Sequence, residues 1–233
     1  METEDQFADF QRHYMPIRFA GPLVTKLNHR YNNLRYWEHA HVLGKPLIFA
    51  IHDFHAPGSM AYSSSALPIY LYGIAWREVE NGAGQVTSSP EVVEKHIWGQ
   101  KEIESGFFYL DDAENISAVI INPSATISKF NRMGLLAGFG RPDIRLFHRG
   151  LAATGKMDSA VPIPFSYDVH TRKNGETWIE GMSVYHNPNA LVPLKPELLP
   201  GAAHHFLNKD GTMSSLLPDW HPVVSETIIA ATE

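Results

Sequence analysis

The chain has 233 residues, 44% of them hydrophobic, with 19 Lys and Arg against 25 Asp and Glu for a formal net charge of -6, and it has no cysteine. That length buries a sizeable core in one domain, and the missing thiols exclude disulfide frameworks, cysteine hydrolases and zinc-thiolate sites. The negative balance argues against broad attraction to nucleic acid while leaving room for a local basic groove.

No stretch reaches 18 consecutive apolar residues, and Met1 is followed by Glu-Thr-Glu-Asp rather than by a basic and then apolar leader. The expectation is a cytoplasmic protein with no membrane span. Thirteen histidines supply candidates for metal ligation and proton transfer in excess of any single site, so most are packing or surface residues.

In chain order, Met1 to Arg12 reads as a short acidic helix with Phe7 and Phe10 at helical spacing, ended by Met15-Pro16. Leu23, Leu27, Tyr31 and Leu34 recur at three- and four-residue steps, which predicts a helix over Leu23 to Trp37. Lys26, His29, Arg30 and Arg35 lie off that stripe as a solvated face. His39-Ala40-His41 has a spacing that suits two metal ligands or two exposed rings. Pro46 to Ile51 is a short continuous apolar run, which predicts a central strand buried on both faces.

That strand empties into His52, Asp53, His55, Pro57 and Gly58. Side chains alternate along a strand, so Asp53 and His55 share one face and His52 takes the other. Loops leaving a rigid sheet are a usual place for chemistry, and Asp53 with His55 is the candidate pair. The alternative is structural, with Asp53 capping the turn and His55 covering an apolar edge. Ser63 to Ser65 read as the cap of a helix over Ala66 to Ile74. No Gly-x-Ser-x-Gly elbow occurs, and Ser59 and Ser63 to Ser65 are the serines nearest the candidate loop.

Trp76 to Glu80 and Val86 to Val93 flank Asn81-Gly82-Ala83-Gly84 as a hairpin. Lys95 to Lys101 reads as a loop, Gly106 to Leu110 as an aromatic strand, and Ile116 to Ile121 as an apolar strand. After it, Ser124, Thr126, Ser128, Lys129, Asn131 and Arg132 form a polar junction able to converge on an anion, or else a solvated turn and helix start. The Gly-Lys-Ser/Thr order of a phosphate loop is absent. Ile144 to His148 is a strand, Ala160 to Val169 an edge strand or loop because of its prolines, and Thr177 to Tyr185 a strand or short helix. His186-Asn187-Pro188-Asn189 is a polar turn. The remainder is a proline-rich wrap carrying His204-His205 and Asp219-Trp220-His221. Together these elements predict a single α/β (α+β) domain over 1–233, a central mixed β-sheet flanked by helices.

The segments IHDFHAPGSM, LPIYLYG, ENISAVIINPSATISKFNRMG, ETWIEGMSVYHNPNA and AHHF resemble a family of uncharacterised bacterial proteins, and the resemblance runs from about Tyr14 almost to the C-terminus. Longer members of that family carry an upstream part that looks like a PD-(D/E)XK nuclease-type core. The resemblance implies that this chain corresponds to a C-terminal portion of such a protein or to a shortened member, and that the Asp53/His55 loop and the Ser128 to Arg132 turn are functional.

Two functions follow as expectations. One is a metal-assisted hydrolase of a phosphodiester or a small ester or lactone. Asp53, His55, His205 and His221 would hold a divalent ion that activates water, and Lys129 and Arg132 would act beside Asp53 and His55 as fixed cations against developing negative charge. Ser59, Ser128, Asn131, His186 and Asn187 would bind substrate. Imidazoles with a carboxylate suit zinc, and a carboxylate-dominated site suits magnesium, manganese or calcium. The other is a noncatalytic portion or binding module of a nuclease-like protein.

Overall fold

A computed structural model describes residues 4–53, 59–80, 86–141, 143–156, 161–172 and 175–231. The architecture is mixed α/β, as the patterning predicts. Helix α1 (Glu4–Asp9) runs through a π-helical turn (Phe10–Tyr14) into α2 (Met15–Asn28) without a break at Met15-Pro16, and Pro16 falls directly after the π turn, where the α-helical hydrogen-bond ladder is already interrupted. Met15, Phe19, Ala20, Leu23 and Leu27 bury one face of α2, so the helix lies earlier in the chain than the Leu23 to Trp37 stripe predicts. Tyr31 and Leu34 close a tight turn instead. Asn32 and Asn33 both adopt positive φ there, which asparagine tolerates.

The principal sheet contains β1 (Ile48–Ile51), β6 (Ala118–Ile121), β9 (Ser183–His186), β10 (Ala203–Leu207) and β11 (Met213–Leu216), in the order β1-β6-β9-β10-β11. Strand β1 is parallel to β6 and lies at the sheet edge rather than at its centre. Strand β9 is antiparallel to β6 and parallel to β10. Helix α3 (Ser59–Tyr72) follows β1, with Ser63 to Ser65 inside it rather than capping it, and Ala66, Leu67, Tyr70, Leu71 and Tyr72 are buried. Helices α2 and α3 cover one sheet face through a core that includes Phe19, Leu67, Phe107, Val119 and Tyr185. The opposite face packs on a smaller cluster of Ala118, Met182, Val184, Leu194 and Ala202.

Strands β2 (Ile74–Glu80) and β3 (Val86–Val92) form the expected hairpin. The loop expected over Lys95 to Lys101 is a second hairpin of β4 (Lys95–Trp98) and β5 (Lys101–Glu104). Phe107–Tyr109 is a 3-10 turn rather than a strand, which lets Phe107 and Phe108 both point into the core. Helix α4 (Ile127–Leu136) follows β6, capped by Thr126, whose hydroxyl accepts the Lys129 N–H. Strands β7 (Ile144–Ala153), β8 (Ile163–Asp168) and β12 (His221–Ala231) make a separate sheet in the order β12-β7-β8, leaving the proline-bearing β8 at an edge. The C-terminal stretch is therefore structured by β10, β11 and β12 rather than only wrapped around the body.

Candidate functional site

Parallel pairing brings the C-terminal ends of β1 and β6 together, Ile51 beside Ile121, and antiparallel pairing starts β9 at the same end, Ser183 beside Ile121. In open sheets with parallel strands, ligands bind outside the strands' carboxyl ends. The residues leaving this end are His52 and Asp53 after β1, and Asn122 and Ser124 after β6. Asp53 is buried and its carboxylate accepts the Ser63 hydroxyl at 3.4 Å. His221 enters from the start of β12, with its Nε2 3.4 Å from Ser183 Oγ. Tyr185, on the same face of β9, donates its hydroxyl to Ser64 O at 2.9 Å. Burial, together with the neighbouring Lys129 charge, holds His221 at about 4, so its ring is neutral near pH 7, and its Nδ1 is buried without a partner.

The second layer comes from α4. Lys129 and Arg132 stand three residues apart on one helix face, and that face points inward. Lys129 is fully buried, and its Nζ donates to Trp178 O at 3.0 Å and Glu180 O at 2.5 Å. Burial lowers it to about 8 despite the opposing pull of Glu176 and Glu180. Arg132 forks onto Glu176, Nε to Oε2 at 2.8 Å and Nη2 to Oε1 at 2.6 Å, and its Nη1 donates to Thr227 of β12. Arg172 holds Glu180 and also reaches the Tyr167 hydroxyl, which meets His148 Nδ1 at 2.8 Å. Neither α4 cation faces an open anion site: each is consumed by an internal acceptor.

Gly181 is required in this layer. Its φ of +78° is left-handed, and a Cβ there would lie 2.8 Å from Ser124 Oγ and 3.2 Å from Asn122 Oδ1. Asn122 donates Nδ2 to Trp178 O and Glu180 O at 3.1 and 3.2 Å, the same two carbonyls that Lys129 uses, and its Oδ1 accepts the Ser124 N–H at 3.0 Å.

The remaining expected residues scatter. His55 lies outside the described residues, and Ser59 begins α3. Ser128 and Asn131 are exposed on α4, with Asn131 beside an apolar groove of about 270 Å³ that includes Phe130, Phe139 and Ile229. His186 and Asn187 sit at the other end of β9, opposite Ala118. There His186 Nε2 meets His204 Nδ1 at 2.9 Å, and Asn187 clamps the carbonyls of Ala113 and Ile116 at 2.8 Å each. His205 stacks on Tyr185 at 4.9 Å and bonds Ser215, close enough to His221 for the two rings to interact. Among the described residues no three His, Asp or Glu side chains are grouped to hold a metal ion.

Sequence reasoning passes over Ser183, Asn122, Glu176 and Glu180. The available signal for Ser183 is the two-residue period of Ser183-Val184-Tyr185-His186, which puts Ser183 and Tyr185 on one face. Comparison of the chain with family models, curated proteins and solved structures returned no match.

Proposed function

We propose that the protein is a hydrolase of small esters or lactones in which Ser183 is the nucleophile and His221 its base. The observation that carries the reading is the Ser183 Oγ to His221 Nε2 approach of 3.4 Å at the carboxyl end of β1 and β6, with the imidazole held neutral. A neutral ring at hydrogen-bond reach of a hydroxyl is the arrangement of base-activated serine nucleophiles. His221 Nε2 takes the Ser183 proton as Oγ attacks the carbonyl carbon, then returns it to the leaving alkoxide, and water repeats the cycle to free the enzyme. Asp53 and Ser63, hydrogen-bonded to each other at 3.4 Å, lie on the adjoining strand end and helix.

A second reading, in which a divalent ion activates the water, draws on the neighbouring neutral imidazoles of His205 and His221.

Turnover of short p-nitrophenyl esters and labelling by a fluorophosphonate probe test the first reading. Ser183→Ala and His221→Gln should each lower kcat by about 10²-fold or more with the fold retained by circular dichroism, and Ser183→Ala should abolish labelling. Ester turnover by Ser183→Ala equal to wild type would overturn the serine reading. Retained turnover that is lost with a chelator and restored by zinc or manganese would favour the metal, and cleavage of bis-p-nitrophenyl phosphate in place of esters would move the substrate to phosphodiesters.

A further inference from the structure

We propose that Lys129 and Asn122 are a self-modification site, at which the Lys129 amine and the Asn122 carboxamide condense into an intramolecular isopeptide bond. The geometry points to it directly. Lys129 Nζ and Asn122 Nδ2 lie side by side because both donate to the same two oxygens, Trp178 O (3.0 and 3.1 Å) and Glu180 O (2.5 and 3.2 Å). Asn122 Oδ1, where negative charge develops on attack, already accepts the Ser124 N–H at 3.0 Å, and the buried Ser124 hydroxyl has no partner of its own. Such a donor is what stabilises a tetrahedral oxyanion. Both side chains are buried, Lys129 completely, so water does not compete for the carbon.

The step balances without a co-reactant. Nζ attacks Cγ of Asn122 and forms a new C–N bond, the Cγ–Nδ2 bond breaks, and Nδ2 leaves as ammonia after gaining the proton that Nζ loses. Glu176 and Glu180, whose charges both act on Lys129, are the carboxylates at hand to relay that proton. Burial lowers the Lys129 ammonium to about 8, so a minor fraction is the uncharged, nucleophilic amine at neutral pH and the larger part at pH 9. Amides resist aminolysis in water, but groups held side by side in a fixed geometry react as though at ~10⁵ M or more, and the shared Trp178 and Glu180 carbonyls hold both nitrogens in place.

The experiment is the intact mass of the full-length chain, denatured immediately before measurement. The expected mass is lower than the sequence mass by about 17 Da, one ammonia, and digestion should yield a branched peptide joining Asn122 to Lys129. Lys129→Arg and Asn122→Ala should each restore the sequence mass of the variant. Asn81-Gly82 and Asn174-Gly175 can also lose ammonia by forming succinimides, which open in mild alkali, whereas an isopeptide persists. A mass equal to the sequence after prolonged incubation of folded protein at pH 9, or a loss that opens in alkali or survives Lys129→Arg, would overturn the proposal.

Discussion

Glu176→Gln should be among the most damaging single substitutions in this chain. Arg132 and Glu176 are each 2% exposed at the side chain and meet through two parallel hydrogen bonds of 2.6 and 2.8 Å. Removing the carboxylate charge leaves a guanidinium in the interior with only the Thr227 hydroxyl and a weaker amide as acceptors. A buried pair broken on one side costs about 3 to 5 kcal/mol. On a domain of this size 1 kcal/mol is about 2 to 4 °C, so the melting temperature should drop by roughly 6 to 20 °C.

The pair also joins three elements, since Arg132 is on α4, Thr227 on β12 and Glu176 on the turn before β9. The loss should therefore appear in global unfolding rather than as fraying of one segment. Urea denaturation of wild type, Glu176→Gln, Arg132→Met and the double variant Arg132→Met with Glu176→Leu measures it. The double variant should be more stable than either single change, because no lone charge remains buried. A cost under about 1 kcal/mol for Glu176→Gln, with the urea slope unchanged, would mean that water reaches the pair and would refute the reasoning.

Stability should also collapse on acidification. Burial holds His96 and His148, both fully buried, at about 4 against 6.5 for a free ring. Between those values the unfolded chain binds the extra protons, so their contribution is complete above about 6.5 and is lost as pH falls toward 4, up to about 3 kcal/mol per ring. Urea midpoints measured from pH 7.5 to 4.5 should fall steeply below 6.5, and His148→Gln should flatten the fall; a flat profile would show these rings to be solvated. Gly150→Ala should cost more than about 2 kcal/mol, because its Cβ would stand 2.1 Å from Val224 O and 2.7 Å from Ser225 Cα, where the partner strand is already bulged. A melting temperature within 2 °C of wild type would contradict that packing.

Local signals carried as far as local chemistry decides. The apolar runs at Ile48 to Ile51 and Ala118 to Ile121, the glycine-linked hairpin and the prolines that confine β8 to an edge are each set by neighbouring residues. What pattern could not reveal depends on partners far along the chain. The position of β1 at the sheet edge follows from β9 and β10 stacking on the far side of β6, more than 60 residues later. The helix through Met15 and Pro22 is held by the buried face of Phe19 and Leu23 against α3, which outweighs the Gly21-Pro22 signal. Ser183 and His221 meet only because β12 begins beside the start of β9, and no spacing in the sequence encodes that.

The same limit explains why Lys129 and Arg132 read as cations facing an external anion, or else as a solvated turn, rather than as buried groups held by internal acceptors. Periodicity places them on one face of α4, but it does not say which way that face looks, and here it looks inward. Ile127 and Phe130, on the other side, are 81% and 57% exposed. An apolar-outward helix is unfavourable by burial alone, so the inward cations must be fixed by acceptors strong enough to reverse the usual order. The Glu176 carboxylate and the Trp178 and Glu180 backbone carbonyls are the main acceptors, joined by the Thr227 hydroxyl on Arg132, and all but Thr227 come from residues 176–180, the turn ending at Gly181. The left-handed turn at Gly181 delivers the Trp178 and Glu180 carbonyls to Lys129 while keeping clear of Ser124 and Asn122. The orientation of α4 is thus decided some fifty residues downstream, by a turn that only glycine can make without collision.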